Sequence, residues 1–151
     1  MYDFSKMDKR YIIFASTFLL SNRLQTVMDS NLEEITAKQW LTAMMLGMFD
    51  QPPTLKQLSN ICDSSHQNTK QLISKLESKG FIRIENDSND LRAMRIVSTD
   101  KWIKWNQDNH EHSISFITKM FEGLSEEEIA IMDKAQQKIY ANLDKMKENS
   151  K

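Results

Sequence analysis

TLKQLSNICDSSHQNTKQLISKLESKGFIRIENDSNDLRAMRIVSTDK, residues 54–101, is the stretch that decides the fold. Thr54 with Gln57 three positions later has the spacing of a helix capping box, so a helix through Leu55, Leu58 and Ile61 begins there. Ser64 and Ser65, followed by Gln67 and Asn68, offer a second helix start, and either serine can serve as its cap. That second helix carries Leu72, Ile73 and Leu76 on one face and ends at Lys79, because Gly80 stands where the chain must leave through a left-handed conformation. Beyond Gly80 the period changes. Phe81-Ile82-Arg83-Ile84-Glu85 reads as a short strand and Met94-Arg95-Ile96-Val97-Ser98 as its partner, with the turn-rich Asn86-Asp87-Ser88-Asn89-Asp90 between them. Two short helices, a tight connection and a hairpin with a polar tip form the order of a winged helix-turn-helix.

The flanks read as helix. Residues from Lys6 to about Asp29 hold Tyr11, Ile12, Phe14, Ala15, Phe18, Leu19 and Leu24, an apolar set wide enough for a helix buried on more than one side. Thr36 with Gln39 is a second capping box, opening a helix through Trp40, Leu41, Met44, Met45, Met48 and Phe49 that stops before Pro52-Pro53. Thr99-Asp100 opens a long helix through Trp102, Ile103, Trp105, Ile114, Phe116, Ile117, Met120 and Phe121, ending near Gly123. Ser125 with Glu128, in an acidic first turn, caps a last helix through Ile129, Met132, Ala135, Ile139, Leu143 and Met146. The expected architecture is mainly α with a small β-hairpin wing, a winged helix-turn-helix embedded in a helical dimerisation scaffold. Its expected parts are a dimerisation region over 1–35 and 123–151, a DNA-binding region over 36–101, and a long linking helix over 102–122.

Composition narrows the function. A chain of 151 residues with three Gly and two Pro is mostly regular structure, and its single cysteine, Cys62, excludes an internal disulfide. No apolar run reaches the roughly 20 residues that span a bilayer, and the first residues lack the basic-then-apolar order of a secretory signal, so a cytoplasmic protein without a membrane partner is expected. The net charge is −1, but residues 54–104 hold nine Lys or Arg against six Asp or Glu, a local excess of three that leaves −4 for the rest. That asymmetry has the sign of a DNA-facing module on an acidic scaffold, although a solvated mixed surface has the same composition.

No glycine loop for phosphates, no metal cluster and no nucleophile with an evident base is present, so no enzyme and no cofactor is expected. Cys62 and His66 lie four residues apart, but Asp63-Ser64 intervenes, so the pair does not share one helix, and a buried apolar thiol is the expectation for Cys62. His110 and His112 stand about 200° apart around one helix and do not close on one ion. No metal is assigned.

Three groups of residues together resemble the MarR-type transcriptional regulators: Ser64-Ser65-His66-Gln67-Asn68-Thr69-Lys70-Gln71-Leu72, Leu76-Glu77-Ser78-Lys79-Gly80-Phe81-Ile82, and Asp90-Leu91-Arg92-Ala93 leading into Ile96-Val97-Ser98-Thr99. The last is similar to the family's Asp-x-Arg wing signature, and Ser64 departs from the family by standing where many members are apolar. The likeness is sharpest from about Leu41 to Trp105. It implies a homodimer, with the terminal helices of two chains intertwined and two recognition helices about 34 Å apart on a near-palindromic operator. It also implies that Arg92 enters the minor groove or grips its phosphates, steadied by Asp90.

On the helix after Ser65, the face opposite Leu72, Ile73 and Leu76 carries His66, Gln67, Asn68, Lys70, Gln71, Ser74 and Lys75. Gln67, Asn68 and Gln71 are expected at base edges, Ser65, Lys70 and Lys75 at phosphates, with Arg95 and Lys101 as secondary phosphate contacts. The resemblance further places an effector pocket between the DNA-binding lobe and the dimer helices. Trp40, Met44, Met45, Met48, Trp102 and Trp105 are its candidate lining for a lipophilic or aromatic small molecule, although the same side chains serve a core. Two alternatives stay open: a winged-helix module that binds protein without DNA specificity, and a redox- or metal-responsive regulator of the same fold.

Overall fold

The computed structural model describes residues 7–87 and 93–149. Its elements are α1 Lys9–Asn31, α2 Ala37–Leu46, α3 Leu55–Ile61, α4 His66–Ser78, β1 Ile82–Asn86, β2 Met94–Ser98, α5 Asp100–Asp108, α6 His110–Met120 and α7 Glu126–Glu148. The two strands form one antiparallel hairpin. The chain divides into two compact units at the Gln107–Asp108 junction.

Helix starts follow side-chain chemistry. Thr36, Thr54 and Ser125 each form a complete capping box, with Gln39, Gln57 and Glu128 respectively. Each satisfies two backbone N–H groups at a helix start, and losing such a cap costs about 1 kcal/mol. Of the two candidate serines, Ser65 caps α4: its Oγ accepts the Asn68 N–H at 3.1 Å. Ser64 instead closes α3, its N–H donating to the Ser59 carbonyl at 3.1 Å while the Asp63 N–H reaches the Asn60 carbonyl at 3.2 Å. Asp63 makes that turn at φ 45°, a left-handed conformation that Asp tolerates better than most residues.

The end of α4 is closed in the same manner. Gly80, at φ 76°, donates its N–H to the Glu77 carbonyl at 2.8 Å, and the Phe81 N–H reaches the Leu76 carbonyl at 3.0 Å. This pattern joins an αL residue to a hydrophobic pair, here Leu76 and Phe81, both fully buried. Because Phe81 completes the helix closure, β1 runs Ile82–Asn86, one residue later than the alternating pattern suggests. A Cβ on Gly80 would meet only Lys101 Cδ, at 3.9 Å. The cost of Gly80→Ala is therefore conformational, and a loss of about 1–2 kcal/mol is expected in urea unfolding; an unchanged midpoint would refute it.

Within the first unit, Ala43 and Leu46 of α2, Leu58 of α3, Ile73 and Leu76 of α4, Ile82 and Ile96 of the hairpin, and Trp102 of α5 close around Phe81. Ile84 pairs with Ile96 across the strands. On its other side β2 meets the loop before α3, where the Ile96 N–H donates to the Pro53 carbonyl at 2.9 Å. The Phe81 ring meets Trp102 and Trp105 edge-on at 6.4 and 6.1 Å, and the two indoles stack at 5.7 Å.

Two expectations need correction. The residues expected to form one long helix after Asp100 form two, α5 and α6, interrupted at Asn109 (φ −96°, ψ 3°). Asp108-Asn109 joins two poor helix formers whose side chains compete for backbone hydrogen bonds. Secondly, no residue of α1 is buried within the single chain: Tyr11, Phe14, Phe18 and Leu19 are 69, 66, 62 and 69 % exposed. The helix itself forms, Asp8 capping it through the Arg10 N–H, and Asp29 Oδ1 accepts the Ala37 N–H at 2.6 Å to tie it to α2. In the second unit, α6 and α7 likewise hold no buried residue, and Ile129, Met132, Ile139, Leu143 and Met146 recur along α7 at helical spacing. Among the described residues no helix is long and apolar enough to cross a membrane.

Candidate nucleic-acid interface

The sequence of α4 separates two faces. Thr69, Ile73 and Leu76, at positions i, i+4 and i+7, are buried and Leu72 is half-buried. Thr69 fills its place by donating Oγ1–H to the Ser65 carbonyl at 3.1 Å; a small polar residue inside the stripe gave no sign of this in sequence. Ser65, His66, Gln67, Asn68, Lys70, Gln71, Ser74 and Lys75 are all exposed. The structure thus brings the seven expected contacts of this segment, Ser65 to Lys75, onto one short helix start and its outward face. Gln67, Lys70, Gln71 and Ser74 form the central stripe opposite the core, while Asn68 and Lys75 flank it.

Basic residues outside α4 have other occupations. Lys101 Nζ donates to Glu34 Oε2 at 2.7 Å and to the Lys79 carbonyl at 3.1 Å, and lies 4.3 Å from the centre of the Phe81 ring. Lys79 Nζ donates to the Glu34 carbonyl at 2.7 Å and to Gln39 Oε1 at 3.1 Å. Arg83 pairs with Glu85 along β1. Arg95, half-buried, pairs with the buried carboxylate of Asp87 and donates Nη1–H to the Pro52 carbonyl at 3.1 Å. Among the described residues, Lys70 and Lys75 are the α4 cations on the polar face, and neither forms an ion pair. Asp90 and Arg92 lie outside the described residues.

An open groove of about 590 Å³ runs between α1, α2 and the helix-turn-helix. Leu24 and Met28 of α1, Trp40 and Leu41 of α2 and Leu72 of α4 give it an apolar lining, with Lys38 and Lys75 as cations. Of the expected effector residues, Trp40 lines this groove. Met44 and Met48 are exposed, Met45 packs against the core, and Trp102 and Trp105 belong to the Phe81 cluster. Asn68, Gln71 and Lys75 also line the groove, a double position that the helix's spacing alone did not reveal. Cys62 borders it too; burial, and secondarily the negative charge of Asp63, push its thiol pKa up, which keeps it protonated and weakly nucleophilic. No three His, Cys, Asp or Glu side chains among the described residues are arranged to hold a metal ion.

No family profile and no curated protein matches the sequence. Solved structures match its fold. A MarR protein from Peptoclostridium difficile superposes with a TM-score of 0.84 at 20% identity, over 100% of this chain and 97% of that one. The Staphylococcus aureus MepR–DNA complex gives 0.78 at 23% identity, over 91% and 99%. The organohalide-sensing regulator RdhR in its 2,4-dichlorophenol-bound form gives 0.82 at 14% identity, over 94% and 85%. Set beside the capped α3–α4 pair, the hairpin and the flanking helices, these superpositions show that the chain has the fold of the MarR-type winged-helix transcriptional regulators.

Proposed function

We propose that the protein is a sequence-specific, double-stranded DNA-binding transcriptional regulator, acting in the cytoplasm as a homodimer on a near-palindromic operator. The observation that carries this reading is the outward face of α4: hydrogen-bonding amides and two cations without ion pairs, backed by a buried stripe and next to a hairpin. Gln67, Asn68 and Gln71 pair with base edges in the major groove, and Ser65, Lys70 and Lys75 hold phosphates. Arg92, steadied by Asp90, supplies the wing contact. MepR, of the same fold, is solved on DNA, which supports the reading.

The uncovered apolar residues of α1 and α7 support pairing of two chains, since that much exposed aromatic and aliphatic surface is unusual for a monomer. On this reading, α1 and α7 form the dimerisation region, residues 36–101 bind DNA and residues 102–122 link the two. A lipophilic aromatic effector seated in the groove between α1, α2 and α4 would alter the spacing of the two recognition helices, releasing DNA by a shift in population. The dichlorophenol bound to RdhR supports this class of ligand.

Selection of bound duplexes from random sequence, followed by fluorescence anisotropy at two salt concentrations and light scattering, tests the proposal. A preferred near-palindrome, bound by a dimer at least about 10³-fold more tightly than random duplex, is the expected result. A monomer with equal affinity for every duplex would overturn it, and a protein-binding module would behave in that way. For the effector, a panel of phenols should weaken operator binding; affinity that no member of the panel changes would remove it.

A further inference from the structure

Four attachments converge toward the far end of the hairpin. The Asp87 carboxylate, 7% exposed, pairs with Arg95, and the Asp87 N–H donates to the Ala93 carbonyl at 2.9 Å. Arg95 in turn donates to the Pro52 carbonyl at 3.1 Å, and the neighbouring Ile96 N–H donates to the Pro53 carbonyl at 2.9 Å. Both carbonyls belong to a Pro-Pro segment with fixed φ, and the next residue, Thr54, is the N-cap of α3. The distal end of the hairpin is thus tied through a stiff segment to the first residue of the helix-turn-helix. A buried carboxylate also needs a cation beside it, which holds the Arg95 guanidinium in place.

We propose that Arg95 is a positioning residue: with Asp87 and the Pro52 carbonyl it fixes the direction of the hairpin relative to α3 and α4, so that the wing meets DNA in register with α4. This inference rests on the DNA-binding reading and replaces the role of Arg95 as a phosphate contact. The two roles give opposite signs for one substitution. Asp87→Ala removes a negative charge, so if Arg95 contacted phosphate the released guanidinium would strengthen binding. If Arg95 positions the hairpin, the same substitution weakens binding.

The experiment compares Asp87→Ala, Arg95→Met, the double variant and the conservative Arg95→Lys. Each is titrated with the selected operator across a salt series, and amide exchange at positions 87 and 96, whose N–H groups bond the Ala93 and Pro53 carbonyls, is followed without DNA. Expected are losses of roughly five- to thirtyfold for Asp87→Ala and Arg95→Met, no further loss in the double variant, and an unchanged salt slope. Faster exchange at both amides should accompany them, with Arg95→Lys restoring little because an ammonium does not span both acceptors. Unchanged or tighter binding by Asp87→Ala, or a slope lowered by about 0.9 in Arg95→Met, would overturn the inference and leave DNA binding intact. A wild-type protein that prefers no duplex would overturn both.

Discussion

Phe81→Ala is expected to lower the unfolding free energy by about 3–5 kcal/mol, the usual cost of deleting a buried aromatic ring. Phe81 is 0% exposed and shares edge-on contacts with Trp102 and Trp105. It is also where several elements meet. Its N–H closes α4 on the Leu76 carbonyl, its carbonyl accepts the Thr99 N–H at 3.1 Å and the Thr99 hydroxyl at 3.0 Å, and Lys101 lies over its ring. Alanine keeps the backbone bonds but leaves a void that the stacked indoles, fixed in α5, fill poorly. Against a typical total of about 5–15 kcal/mol, that loss takes up much of the stability. Urea unfolding followed by indole fluorescence should show a much lower midpoint with an unchanged slope. Phe81→Leu should recover most of the loss. A Phe81→Ala midpoint within error of wild type would show that the ring is not the centre of this core.

Gln71→Ala has the largest expected effect on DNA recognition. A bidentate amide–adenine pair contributes about 1–3 kcal/mol of discrimination, so operator affinity should fall roughly 5- to 150-fold. Affinity for random duplex should stay constant and the salt slope should not change, because no charge is removed. Lys75→Ala is the internal contrast: it should weaken every duplex alike and reduce the slope by about 0.9. If Gln71→Ala weakened random and selected duplexes equally, Gln71 would not read a base.

Local chemistry was legible in the sequence wherever its partners were close. The three capping boxes, the exit at Gly80 and the strand Met94–Ser98 were all read from neighbours within four residues. Ser64 and Ser65 were separable only once Asp63 was seen to turn left-handed, which an aspartate does not announce as a glycine would. Charge counting misled for a different reason. Of nine basic residues between Thr54 and Lys104, Lys79, Arg83, Arg95 and Lys101 are engaged within the protein. Lys79 and Lys101 find their partner at Glu34, 45 and 67 positions away. No window along the chain contains such a pair. The Met and Trp residues posed a similar limit, since periodicity marks them as apolar but not as lining, so Trp40 faces a groove while Trp102 fills the core.

Asn68, Gln71 and Lys75 each border both the groove and the outward surface of α4. Under the proposed function, drift toward a new operator would therefore reshape the chamber behind it, and adaptation to a new chemical signal would edit the letters that the helix can read. Two traits that look separable would then be inherited through the same three codons.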